Sequence, residues 1–490
     1  MKRLHVLPAV ALLAGCNAVG PDFHRPASAS DAGYAAANSV SGAPQARLGE
    51  TAGLRWWEAF ASPEINALVE RALAGNRTLA ASTATLVQAR ERIRAVAGQR
   101  LPQIDASARI QHQQRNLAAF GFDPSTLGAG SGNPEFDLYT VGGGISFDPD
   151  VFGGQRRATE QVRAEGAAQA QETAAAHLTV TGRVVLQALT IAALNDRIAT
   201  EQDLLGEGRR NVFLTQARQR AGAGTMVEVL SAQGQLAADQ GNLPELEQQR
   251  TEARTMLAIL LGISPAELGE TPLSLEKLRL PESVPVALPS ELVHQRPDIL
   301  AAEARLHAAT AAIGVATAKL YPSLTLGATL EQSANHPGDI LSSGFRGFDI
   351  FAGLAAPIFH GGTLKANKRG AEAEARAAAA RYQQTVLEAF GQVSDLLAAL
   401  GNDAQAVTVR DESRAVADRS LHLSRRSFEV GNSGILQVLD ASRLAQQARL
   451  RLLDARSRQM MNIARLYVAT AGGWTGNVPM ANAAAPAARP

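Results

Sequence analysis

Cys16 is the only cysteine among 490 residues, and its position points to a particular chemistry. It closes Leu13-Ala14-Gly15-Cys16, behind a basic Met1-Lys2-Arg3 and a mostly apolar run from Leu4 to Leu13. A short basic region, an apolar core and a small-residue end make a secretory signal, too short to remain as a spanning helix. Removal of residues 1–15 would leave the thiol at the new N-terminus; the alternative is a buried structural cysteine. Other reactive patterns are missing: there is no G-x-x-x-x-G-K-[ST] phosphate loop, no H-E-x-x-H and no G-x-S-x-G. Nine histidines are scattered without ligand spacing, and His294, ahead of Pro297-Asp298, reads as part of a helix entry rather than half of a catalytic dyad. Gly142-Gly143-Gly144 lies inside an alternating segment, where small residues permit a bend or close packing. The expectation is no enzyme, no metal site and no cofactor.

Cys16 sits where a bacterial lipobox puts its thiol. That likeness implies a diacylglyceryl and an N-acyl group, the multi-chain anchor that stable membrane attachment requires. Asn17 follows, in place of the aspartate that resembles an inner-membrane retention signal, which favours the outer membrane. Lys and Arg number 47 against 46 Asp and Glu, a net charge of +1, which leaves no electrostatic footprint for nucleic acid. Past the signal no run approaches the ~18–20 consecutive apolar residues of a membrane helix. Aromatic residues are only 4% and alanine is abundant, a composition suited to long helices packed side by side.

The elements that must carry the chain occur twice. Pro102 in Leu101-Pro102-Gln103-Ile104 is echoed 220 positions later by Pro322 in Tyr321-Pro322-Ser323-Leu324. Pro149-Asp150-Val151-Phe152-Gly153-Gly154 returns after 208 as Pro357-Ile358-Phe359-His360-Gly361-Gly362, and Gly222 with Val229-Leu230 returns after 209 as Gly431 with Val438-Leu439. Three landmarks in one order, at nearly one spacing, indicate an ancestral duplication of a domain-sized half. The expected division is a signal at 1–15, a lipidated segment at 16–62, a first half at 63–275 with a strand hairpin at about 101–150, a linker at 276–290, a second half at 291–473 with a hairpin at about 321–358, and a flexible tail at 474–490.

Four segments alternate with a period of two. Ile104, Ala106, Ala108 and Ile110 oppose Asp105, Ser107, Arg109 and Gln111, and Val141, Gly143, Ile145 and Phe147 oppose Thr140, Gly142, Gly144 and Ser146. Leu324, Leu326, Ala328 and Leu330 repeat the pattern, and Phe348, Ile350, Ala352 and Leu354 complete it. Each segment is near the ~9–11 residues of a tilted transmembrane strand, with Gly-, Pro-, Asn- and Ser-rich connectors between. A small soluble sheet with one wet face fits the alternation equally well. If the strands enter lipid, four cannot close a barrel, since the smallest use about eight and an open edge leaves backbone groups unpaired. The barrel would then have to be shared among chains.

Long helices are expected over 361–427 and 440–470, each free of proline, and over 155–201 and 227–261, the last broken or kinked at Pro244. A further helix over 299–320 follows Arg296-Pro297-Asp298, where proline suits the first turn and the acid the positive helix end.

Taken together, these residues resemble the TolC-like outer-membrane efflux proteins, in the lipoprotein branch typified by OprM and NodT. The likeness is carried by Cys16-Asn17-Ala18-Val19-Gly20-Pro21-Asp22-Phe23 with Pro26, by Trp56-Trp57 with Phe60, and by Arg296-Pro297-Asp298-Ile299 with Ala302-Glu303. It implies a mixed α and β fold in which a homotrimer shares an outer-membrane β-barrel, four strands per chain, continued by a long periplasmic α-helical barrel. It implies a passive duct exporting small molecules, with a periplasmic adaptor, an inner-membrane pump and outer-membrane lipid as partners. A non-conducting lipoprotein scaffold is the alternative. The family's gate maps to the turns at 221–225 and 430–434, whose glycines Gly222, Gly224, Gly431 and Gly434 would meet the adaptor. Leu436 and Asp440, one helical turn apart, match the apolar and acidic constriction rings. Gln437 stands where some relatives have a second aspartate. Phe428 stands where relatives often place a tyrosine that bonds an acid on the neighbouring hairpin, here Glu228, and phenylalanine cannot make that bond. The lock would then fall to another group, such as Arg425 or Arg426.

Overall fold

The computed structural model describes residues 18–26, 34, 44–116, 135–340, 342, 344 and 346–470. Cys16, the signal and the tail lie outside them. The order of elements is β1 (Gln45–Leu48), α1 (Pro63–Gly75), α2 (Arg77–Gly98), β2 (Gln103–Gln114), β3 (Glu135–Phe147), α3 (Gly154–Arg220), α4 (Met226–Leu261), β4 (Ser283–Val286), α5 (Pro289–Gln295), α6 (Pro297–Ala318), β5 (Ser323–Ala334), β6 (Arg346–Ala355), α7 (Thr363–Glu429) and α8 (Ile435–Ala469). From α2 and from α6 the same succession follows, a 22-residue helix, two strands, a 67-residue helix and a helix of 36 or 35 residues.

The chain divides into two compact units. The first takes Met1–Arg25, Val87–Ala167 and Ala304–Ala380 and is organised on one antiparallel sheet in the order β2-β3-β5-β6. All four alternating segments form strands, because side chains two apart share a face and each segment offers one apolar row. The second unit takes Pro26–Leu86, Ala168–Glu303 and Arg381–Pro490. Its core is a continuous set of buried aliphatic residues that includes Val184, Leu189, Ile191, Leu257, Leu261, Ile463 and Leu466. Trp56, Trp57 and Phe60 are buried in it, with Trp56 stacked on Tyr467 at 5.6 Å between ring centroids.

Several expectations need revising. The helix foreseen at 155–201 runs on to Arg220, and of the break or kink foreseen at Pro244 the break does not occur: α4 is one helix from Met226 to Leu261 with the proline inside it. The segment 276–290 is more than a linker. It holds β4, which pairs in parallel with β1 from Gln45↔Ser283 to Leu48↔Val286, and the start of α5. Helices α3 and α6 each contain a window apolar enough to cross a membrane by composition alone; the α3 window is 61% buried, as in the core helix of a folded protein. The Arg296-Pro297-Asp298 entry is as foreseen, and Arg296 adds a contact the sequence does not show. Its Nη1 donates to the carbonyl of Ala469 at 3.1 Å, a cation on the negative end of α8.

Candidate functional site

In the first unit the register sorts every strand residue to a face, because directly paired residues lie on the same side. Ile104 pairs with Ile145, Ile145 with Ala328 and Ala328 with Ile350. Leu330 pairs with Phe348, and Leu324 with Leu354. This apolar row is turned outward: Ile104, Phe348, Ile350 and Leu354 are each more than 70% exposed. The opposite face carries Asp105, Arg109, Thr140, Glu331, Ser333 and Asp349, with Thr140 and Ser333 sharing a 2.9 Å hydrogen bond. The glycine triplet packs as expected. A Cβ on Gly142 would lie 2.6 Å from the Leu330 carbonyl oxygen, so any larger residue would force the strands apart. Strands β2 and β6 are the edges, each paired on one side only among the described residues.

The segment after the expected acylation site is seated in this same unit. Arg157, buried on the second turn of α3, donates Nε to the carbonyl of Val19 at 3.2 Å and Nη2 to those of Ala18 and Gly20 at 3.4 and 3.3 Å. It also holds the carboxylates of Asp22 at 2.6 Å and Glu160 at 2.8 Å. The hydrogen bond and charge of Arg157 keep the Asp22 carboxyl below the usual aspartate range. Burial pushes Glu160 up, but hydrogen bonds from His307 and Arg157 outweigh it and hold the group low. His307 in turn stacks on Phe23 at 4.4 Å. Gly20 and Gly314 meet backbone to backbone, a Cβ on Gly20 falling 2.5 Å from the Gly314 Cα. Asp22 and Phe23 were legible as part of a motif; Arg157, Glu160 and His307 were not.

In the second unit both turns at the hairpin ends close in the same way. Gly222 and Gly431 adopt φ of 70° and 82°, the left-handed region that ends helices. Ala223 N–H bonds the Arg218 carbonyl and Gly222 N–H that of Gln219; in the second turn Asn432 bonds Ser427 and Gly431 bonds Phe428. The turns lie at 221–225 and 430–434, as expected. Leu436 and Asp440 are both exposed on one face of α8, and Asp440 is joined to Arg443 at 2.9 Å. Glu228 is engaged at home: its carboxylate accepts from Thr225 N–H at 2.8 Å while Thr225 Oγ1 accepts from Glu228 N–H, a reciprocal cap on α4. Phe428 is buried with Leu421, Ile435, Val438, Ala441 and Ala445 in a small cluster of its own. The group facing its ring is Arg218, with Cζ 4.6 Å from the centroid. Of the two arginines considered for a lock, Arg425 pairs with Glu207 on α3. No group of metal-binding residues occurs among the described residues.

The chain matches the family model described as outer membrane efflux protein in two successive segments, residues 68–263 and 288–472. It is 33% identical over 429 residues to the pyoverdine export outer membrane protein OpmQ of Pseudomonas putida, covering 87% of this chain and 89% of the relative. It is 25% identical to the probable outer membrane lipoprotein SilC of Salmonella typhimurium over 96% of this chain and 99% of that one. Among solved structures it superposes on the outer-membrane channel OprN with a TM-score of 0.84 at 28% identity, over 93% of this chain and 99% of that one. The chain belongs to the outer membrane efflux protein family, the outer-membrane channel components of efflux systems.

Proposed function

We propose that three copies of this chain form a passive duct, each giving β2, β3, β5 and β6 to one twelve-stranded barrel whose tunnel is continued by the long helices into the periplasm. The observation that carries this reading is the open four-stranded sheet, with an exposed apolar face and two free edges. In lipid such edges are tolerable only when another chain pairs with them. Helix α7 supports it, since Val409, Val416 and Leu423 are all exposed at seven-residue spacing, the seam by which helices pack on further helices. The recurrence of element lengths and the two-segment family match support an origin by duplication.

Cys16 is read as the lipid attachment site, in line with the description of SilC, and Gly222, Gly224, Gly431 and Gly434 as the turns that meet a periplasmic adaptor leading from an inner-membrane pump. Leu436 and Asp440 are read as the narrow end. The Arg443 partner of Asp440 refines that reading, because a ring of three aspartates would be partly neutralised by three arginines one turn away. Removing Arg443 should therefore raise cation selectivity, and removing Asp440 should lower it. The deciding experiment is reconstitution of the purified protein in planar bilayers alongside electrophoresis without boiling. A duct gives discrete conductance from a species of trimer size; a folded, non-conducting monomer would overturn the reading in favour of a scaffold.

A further inference from the structure

We infer that Arg218 couples the two hairpin ends of one chain, holding the second on the first through the face of Phe428. Arg218 lies in the last turn of α3, and its backbone carbonyl already receives the Ala223 N–H that closes the first turn. Its guanidinium then makes two contacts in different hairpins. Nη2 donates to the Ala223 carbonyl at 3.3 Å, and Cζ sits 4.6 Å from the centre of the Phe428 ring, at the foot of α7. The ring is 6% exposed, and its immediate company on α7 and α8 is aliphatic. A cation over a mostly dehydrated ring face is attracted by the ring quadrupole, and an arginine loses less hydration there than a lysine would. The first turn is held close around this side chain, since a Cβ on Gly224 would lie 3.3 Å from the Arg218 Cβ and 3.0 Å from Glu228 Oε2. Further from the turn, Arg425 on α7 reaches Glu207 on α3, so the two long helices are bridged twice, by an ion pair and by a cation on an aromatic face.

The bridge answers a difficulty raised by the sequence. A phenylalanine at 428 cannot hydrogen-bond the opposite hairpin, and Glu228 is committed to capping its own helix. The two ends are nevertheless tied, with the polar partner supplied by α3 and the ring by α7. Arg218 is a positioning residue: it touches no cargo and acts by keeping both ends in one arrangement. As a role in gating, this rests on the duct reading above. As a coupling between hairpins, it stands on the contacts alone.

Two measurements separate these levels. Amide hydrogen exchange at residues 219–226 in the assembled protein reports whether the first turn feels a change on α7. Phe428→Leu keeps an apolar side chain but removes the ring, and should speed exchange there about two- to tenfold, the range a cation–π contact of this exposure implies. Phe428→Tyr keeps the ring and should give exchange no faster than wild type. Arg218→Lys should fall between wild type and Arg218→Ala, and Arg218→Ala combined with Phe428→Leu should be no faster than the faster single variant. If Phe428→Leu leaves the first turn unchanged, or if the two changes simply multiply, the coupling is refuted. In bilayers, Phe428→Leu and Arg218→Ala should raise resting conductance severalfold while the trimer stays intact. Wild-type-like conductance in both, beside a conducting wild type, would remove the gating role. Absence of conductance from every variant and from wild type would instead count against the duct.

Discussion

At 221–225 and at 430–434 the chain reverses with the same pair of backbone bonds around a left-handed glycine, yet the helices leaving the two turns begin differently. Helix α4 starts with Thr225 and Glu228 in a reciprocal cap, whereas α8 starts at Gly434 with no side-chain cap. The second end makes up the difference with apolar packing. Ile435 and Val438 are each 1% exposed there, while Met226, which stands 209 positions before Ile435, is 56% exposed. One backbone turn is thus stabilised by polar satisfaction in the first hairpin and by burial in the second. The capped end leaves Met226, Val227 and Leu230 facing outward; the packed end leaves Val430 and Leu436 exposed but sets Ile435 and Val438 against Leu421 and Phe428.

The comparison is tested most severely by Ile435→Ala, which should destabilise the second end by about 2–4 kcal/mol through lost burial and a residual cavity. Met226→Ala at the matching site should change the first end by less than about 0.5 kcal/mol. Equal effects in hydrogen exchange at the two ends would erase the distinction. Gly222→Ala and Gly431→Ala form the next test, each forcing a side chain into the left-handed region at a cost of about 1–2 kcal/mol. Here the two hairpins should respond alike, because the turn is what they share; a difference beyond a few tenths of a kcal/mol would mean that one glycine serves something besides the turn. Thr225→Ala should then cost about 1 kcal/mol at the first end only, seen as faster exchange of the first amides of α4. The smallest effect belongs to Gly434→Ser. Its backbone already has the extended conformation of a capping residue, and a Cβ there would meet nothing closer than Glu228 Oε1 at 3.9 Å, so a gain of a few tenths of a kcal/mol is expected in the first turn of α8. A loss would show that the second end tolerates no side chain at that point.

The sequence carried the strands because alternation is local: each apolar row is written in ten consecutive residues, and the register later placed Ile104, Ile145 and Ile350 on one face as the pattern required. It carried the turns because glycine at 222 and 431 is demanded by the backbone itself. The full reach of α3 was underestimated, since Gly206 and Gly208, poor helix formers, follow closely on the expected end although the helix runs through them to Arg220. The pairing of β1 with β4 was invisible, because four-residue strands more than two hundred positions apart leave no periodic trace. Arg157 and Arg218 were missed for a related reason. Each is one arginine among many in a helix, and what distinguishes it is a partner contributed by a distant stretch of chain.

Arg157 holds its segment mainly by main-chain oxygens, three successive carbonyls captured by one guanidinium, with the Asp22 carboxylate added from the same segment. A grip of that kind reads length more than sequence. Ala18 is pinned against Gly153, and only Asn17 separates it from Cys16, so covalent geometry confines the Cys16 Cα to within about 7 Å of the Ala18 Cα. An acyl group carried by Cys16 would therefore be leashed to the start of α3 on a tether of two peptide units. On the reading of Cys16 as lipidated, the short tether would limit how far the point of attachment can stand from the folded protein, making the modification a ruler as well as an anchor. Inserting residues between Cys16 and Ala18 would lengthen the ruler without touching the grip.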